Sequence, residues 1–176
     1  LPNFSDLTLV ARDNLKFPPI PGVKWPQFVP GGYRADVTGP FSALPFLVSK
    51  VDADGNDIAG IRLPEQAVPL ATLTGWNFRS ERIGAPDTLI AMAGAYIPFP
   101  ANRAAREKSK DPRQAIAERY SSRADYLKKV QDSATALRGE RYILPKHVQV
   151  IVQEAGRHWD SLMTPTKPST NQAASR

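Results

Sequence analysis

Two histidines, His147 and His158, are the only imidazoles available as a general base. The chain has no cysteine, which excludes a thiolate nucleophile, a thiolate zinc site and a disulfide framework. A nucleophilic serine exposed on a strand-to-helix turn needs small residues around it so that the backbone can bend sharply. The nearest approach is Gly39-Pro40-Phe41-Ser42-Ala43, where the proline and the phenylalanine spoil such a turn. Ser42 is therefore not expected to be a nucleophile. Both histidines belong to the last expected helix. Eleven residues of helix separate them by about 16 Å, too far for one metal or one proton relay. His147 is expected to face solvent in the first turn. His158, between Arg157 and Trp159, is expected in a surface or half-buried packing role.

Asp52, Asp54, Asn56 and Asp57 invite a calcium reading. A calcium-binding helix-loop-helix wants glycine at the sixth loop position and an acid at the twelfth, and counting from Asp52 those positions hold Asp57 and Leu63. A hairpin turn explains the same residues more simply. Gly31-Gly32-Tyr33 is followed by no Gly-Lys-Ser/Thr and reads as a turn, not a phosphate cradle. No catalytic residue, metal ligand or cofactor site is assigned. The remaining candidate is Thr74-Gly75-Trp76-Asn77-Phe78-Arg79. Trp76 can stack or cap a pocket, and Asn77 and Arg79 can bond a carboxylate or backbone carbonyls. Two roles stay open: an anchor that pins this loop onto a neighbouring body, or a wall of a substrate pocket.

Composition sets the class. The 176 residues are 41% hydrophobic and 23% charged, the balance of a globular protein. No apolar run approaches the roughly 20 residues of a membrane span. Leu1 opens on no signal-peptide pattern and reads as mid-chain sequence, so a processed product or a fragment is expected. The net charge is +6, part of it at Arg103, Arg106, Lys108, Lys110 and Arg113. Nucleic-acid binding would interleave such charges with stacking aromatics. Asn102 to Ala117 holds none, so a solvated loop and helix start is expected instead.

The elements that must position these residues divide the chain in four. Thirteen of the seventeen prolines precede residue 101, and they keep residues 1–45 extended. The apolar residues of that stretch, among them Phe17, Ile20 and Trp25, predict a segment wrapped over a neighbouring surface. Residues 46–84 should hold a β-hairpin, Phe46–Val51 paired with Ile58–Leu63, and then an irregular passage from Glu65 to Asn77. Residues 85–163 read as about four helices. The first starts at Ala85-Pro86 on the stripe Leu89, Met92, Ala93, Tyr96. The second starts at Asp111-Pro112, the third is capped by Ser122 and closed by Gly139, and the fourth opens at Pro145. Residues 164–176 are polar and predict a flexible tail. The fold class is α+β.

The stretch Asp52 to Arg79, with Gly94-Ala95-Tyr96-Ile97-Pro98-Phe99, Glu118-Arg119-Tyr120 and Glu140-Arg141-Tyr142-Ile143-Leu144-Pro145, resembles the C-terminal region of large bacterial α/β-hydrolase-domain proteins, an esterase-like and largely uncharacterised family. The resemblance is strongest from Val51 to Trp159 and weaker before Pro45. In such proteins the nucleophilic serine sits in a Gly-x-Ser-x-Ser-Gly-Arg-like elbow, and the acid and histidine also come earlier. No position here matches those motifs, so the resemblance carries over no triad residue. It implies a lid-like or flanking portion of a serine hydrolase. The expected partner is an upstream hydrolase core, in the same or a separate chain, with an ester as substrate and no cofactor. The alternative is a stand-alone binding or scaffold module.

Overall fold

The computed structural model describes residues 9–11, 15–25, 47–86, 88–90 and 92–164. Among them are five α-helices, one short 3-10 helix (Glu81–Ile83) and three small antiparallel sheets of two strands each, an α+β arrangement. Ser42, Gly31-Gly32-Tyr33 and the polar tail after Thr164 lie outside the described residues.

The first sheet pairs β1 (Leu9–Ala11) with β2 (Leu47–Ser49), in the register Val10 to Val48. The expected hairpin between Phe46–Val51 and Ile58–Leu63 is therefore corrected. Its turn forms, but the ladder stops at one bridge, Val51 to Asp57, and β2 takes its partner from the start of the chain. Asp52 builds the turn. Its Oδ1 accepts from the N–H groups of Asp54 and Asn56, and its own N–H is donated to the Asn56 carbonyl at 2.8 Å. Gly55 takes φ +86°, and a Cβ there would press on Thr72 and Pro18. The fully buried Asn56 donates Nδ2–H to Ala71 O and accepts the Leu73 N–H, and this ties the turn to the next strand. Beyond the bridge, Gly60 takes φ +77° and Pro64 opens a helix, so no second strand can continue.

Glu65 to Asn77 is more regular than its prolines suggest. Helix α1 (Pro64–Ala67) and strand β3 (Ala71–Thr74) lie within it. β3 pairs with β6 (Ala95–Pro98), in the register Thr72 to Ile97 and Thr74 to Ala95. Between them β4 (Asn77–Phe78) pairs with β5 (Leu89–Ile90). The helix expected from Ala85 to Tyr96 is overturned. Ala85 and Met92 both adopt left-handed backbone, at φ +49° and +61°, and this cannot be continued as a right-handed helix. Ala95-Tyr96-Ile97-Pro98 alternates half-buried and exposed instead, the period of a strand. Gly94 is required by a close approach, because a Cβ there would run into the backbone carbonyl oxygen of Thr74. Gly94→Ala should cost about 1–3 kcal/mol, as overpacking against backbone does. Hydrogen exchange checks it, since the Ala95 amide, now bonded to Thr74 Oγ1 at 3.1 Å, should lose protection first.

The helical region starts at α2 (Arg103–Ser109), where Asn102 accepts the Ala105 N–H as N-cap. α2 ends at Lys110, in left-handed conformation. Asp111 does not cap a helix as expected, because Arg113 occupies its carboxylate. The short α3 (Ile116–Arg119) begins later, with Glu118 reaching back to the Ala115 N–H at 2.8 Å. α4 (Arg123–Gly139) starts as expected, Ser122 Oγ accepting from Asp125 N–H. It ends at Gly139, but the left-handed residue is Arg141. α5 (Pro145–Met163) packs along α4. Leu70, Phe99, Ile116, Tyr120, Tyr126, Val130, Ala155 and Trp159 form one core between the helices and the β3–β6 ribbon. The Tyr120 hydroxyl, the polar tip of that core, is donated to Pro69 O at 2.8 Å.

The wrapping segment finds part of its surface within this chain. Ile20 is buried, Pro18 lies against Gly55, and Phe17 and Trp25 pack on Trp76.

Candidate functional site

The turn from β3 into β4 carries the three residues singled out by sequence. Trp76 enters a cluster of four rings. Phe17 and Trp25 stack at 4.4 Å and 8°. Trp76 meets both edge-on, at 6.1 and 5.6 Å, and meets Phe78 at 5.7 Å. These are the offset and edge-to-face geometries that the ring quadrupole favours. The Trp25 indole N–H is buried in this cluster without a hydrogen-bond partner among the described residues. Beside the rings opens a cleft of about 370 Å³, walled by Leu15, Phe17, Val48, Leu73 and Trp76. Its surface is mainly apolar, suited to alkyl or acyl groups or to the apolar face of another chain segment.

Asn77 and Arg79 do not join Trp76 in one constellation. Asn77 spends its amide locally, accepting the Phe78 N–H at 2.8 Å and donating to Gly94 O at 3.4 Å. Arg79 uses its backbone N–H to close the β4–β5 hairpin on Thr88 O, and its side chain is exposed. Of the three, Trp76 alone faces the cleft.

Three of the four polar turn residues are engaged through their side chains, and Asp57 is exposed. Asp52 bonds Arg62 at 3.2 Å, Asp54 takes the Arg119 guanidinium in a two-pronged ion pair, and the Asn56 amide is held by β3. Among the described residues no group of three or more His, Asp or Glu side chains is placed to hold a metal. No described helix is long and apolar enough to cross a membrane.

The basic stretch is only partly a solvated face. Arg103 pairs with Glu107 and Arg106 with Glu118. Arg113 overturns the expectation outright, at 2% exposure. It binds Asp111 through two nitrogens and reaches Thr72 Oγ1 at 2.8 Å, Ile97 O at 2.9 Å and Pro98 O at 3.0 Å. Burial pushes the Asp111 carboxyl up. The hydrogen bonds and charge of Arg113 more than reverse that and leave it below its ordinary 3.8.

His147 is exposed at the start of α5. His158 is exposed too, but its ring lies 6.2 Å from that of Tyr96, over a second and smaller pocket. Glu65, Tyr96, Tyr126 and His158 meet there, and sequence reasoning missed the grouping. The available signal was a strand-like alternation at Tyr96, which the competing helical stripe obscured.

A family model described as an alpha/beta hydrolase domain matches residues 19–153, more than half of the chain. No curated protein and no solved structure matches it.

Proposed function

We propose, since the chain belongs to the alpha/beta hydrolase domain family, that it forms a lid-like or flanking portion of an esterase-like hydrolase whose serine, histidine and acid lie outside these residues. The observation that carries this reading is the cleft beneath Trp76. It is open, ringed by aromatic and aliphatic side chains, and of a size for an acyl chain or for the apolar face of a catalytic core. Neither histidine lines it. Its contribution would be binding and exclusion of water around an ester. Acyl transfer and stabilisation of the oxyanion would fall to the core.

The purified chain should give no turnover of p-nitrophenyl esters, and an acyl-chain probe should quench tryptophan fluorescence in a way that Trp76→Ala abolishes. Ester turnover blocked by a serine-directed inhibitor would overturn the reading.

A stand-alone binding or scaffold module has one specific observation in its favour, the continuous core from Leu70 to Trp159 with its own buried ion pair. Gel filtration and thermal unfolding discriminate. A monomer that melts sharply and binds no hydrophobic dye supports the module, whereas dye binding lost with Trp76→Ala supports the flanking role.

A further inference from the structure

The second pocket, of about 70 Å³, lies where α1, the β3–β6 ribbon and the α4–α5 pair meet. Its floor is aliphatic, from Leu70, Ala71 and Leu73, and its upper parts are Glu65, Tyr96, Tyr126 and His158. The Tyr126 ring is fixed. It stacks on Trp159 at 5.2 Å, meets Tyr120 edge-on at 5.0 Å, and is only 3% exposed. Its neighbour Tyr120 has a carbonyl partner, but the Tyr126 hydroxyl, on the pocket wall, has no hydrogen-bond partner among the described residues. An unpartnered hydroxyl that opens on a cavity is a point of attachment for whatever enters.

The charge around that hydroxyl selects the guest. Glu65 is exposed in the first turn of α1 and forms no ion pair with a described residue. Burial, assisted by Glu65, holds the Tyr96 hydroxyl above its ordinary value. Burial chiefly, and then Tyr120, Tyr96 and Glu65, do the same to Tyr126. Both phenols therefore stay neutral, with oxygens able to accept. A carboxylate at the rim, electron-rich aromatic rings on the walls and an unused acceptor form a cation-binding set. An anion would be repelled by Glu65, and a neutral alcohol could give it a hydrogen bond but would lack the charge attraction.

We propose that this pocket binds the ammonium group of a small alkylamine. The Glu65 carboxylate balances its charge, Tyr126 Oη accepts one N–H, the Tyr96 and His158 rings flank it, and the alkyl part rests on Leu70 and Leu73. The site does not rest on the hydrolase reading above.

The test is titration of the full chain with n-propylammonium chloride, followed by NMR of the aromatic resonances, with 1-propanol, sodium acetate and tetramethylammonium chloride as comparisons. Propylammonium should bind saturably and shift the Tyr96, Tyr126 and His158 signals. Tetramethylammonium, which has no N–H to give, should bind several-fold more weakly. Glu65→Gln, a change to an exposed side chain, should weaken propylammonium about tenfold. Tyr126→Phe keeps the ring packing and should weaken it about fivefold. Propanol or acetate binding as well as propylammonium would overturn the proposal, as would unchanged affinity in both variants or no saturable binding at all.

Discussion

Replacing Arg113 by alanine is expected to destabilise the chain by about 3–5 kcal/mol, because it leaves a buried carboxylate without its counter-charge. The two side chains are 1% and 7% exposed, so solvent cannot take over the role of the guanidinium. The loss extends beyond Asp111. Thr72 Oγ1 in β3 and the carbonyls of Ile97 and Pro98 in β6 also lose a donor, and these belong to the ribbon on which the helical core rests. Thermal unfolding should register a fall of about 6–20 °C for a chain of this length. Arg113→Lys should recover little, since a single ammonium cannot span the carboxylate and three further acceptors as the planar fork does. A Tm within about 2 °C of the parent for Arg113→Ala would show that the pair contributes no net stability.

The same pair fixes a pH dependence. Asp111 in the folded chain titrates below its ordinary 3.8. A carboxyl depressed on folding adds stability that is fully present above its unfolded value and disappears as pH falls through the folded one. Glu118, Asp125 and Asp160 are depressed as well, by the hydrogen bonds from Ala115, Lys129 and Arg123 respectively. Stability should therefore be level above about pH 5 and fall steeply below 3.8, and Arg113→Ala should flatten part of that fall.

Trp159→Ala is the second large loss, about 3–5 kcal/mol, as for other large aromatics removed from a core. Trp159 is 7% exposed on α5 and is the ring against which both core tyrosines pack, Tyr126 at 5.2 Å and Tyr120 at 6.1 Å. Its removal leaves a void between α4, α5 and the ribbon that these stiff rings cannot refill. Urea unfolding should show a lower midpoint with an unchanged slope. Trp76→Ala, in a half-buried cluster at the rim of a cleft, should cost distinctly less. Equal losses at the two positions would show that the Trp76 cluster carries as much of the packing as Trp159.

The two long helices were legible because their signals are local. Ser122 three residues before Asp125, and Pro145 at the head of a stripe ending in Trp159 and Leu162, specify start and face within a few turns. The turn at Asp52–Asn56 was legible for the same reason, since its acceptors and its glycine sit within five residues. Trp76 was singled out as a ring able to stack or cap a pocket, but the rings it meets could not be read from the sequence. The stretch Ala85–Tyr96 went wrong because short apolar runs fit a helical stripe and a strand alternation alike. The decision came from Thr72 and Leu73, which needed a pairing partner.

Residue types and local spacing alone determined that thiol chemistry is absent, that α4 and α5 form with their observed starts, and that the acidic run closes a tight turn. Only the tertiary structure decided that β2 pairs with β1, that Arg113 leaves the solvated face for the interior, and that Glu65, Tyr96, Tyr126 and His158 share one pocket. Caps and turns are settled by bonds spanning a few residues. Strand partners, buried charge pairs and pocket walls are settled when segments dozens of residues apart compete for one surface, and burial rewards only the arrangement that pairs every polar group.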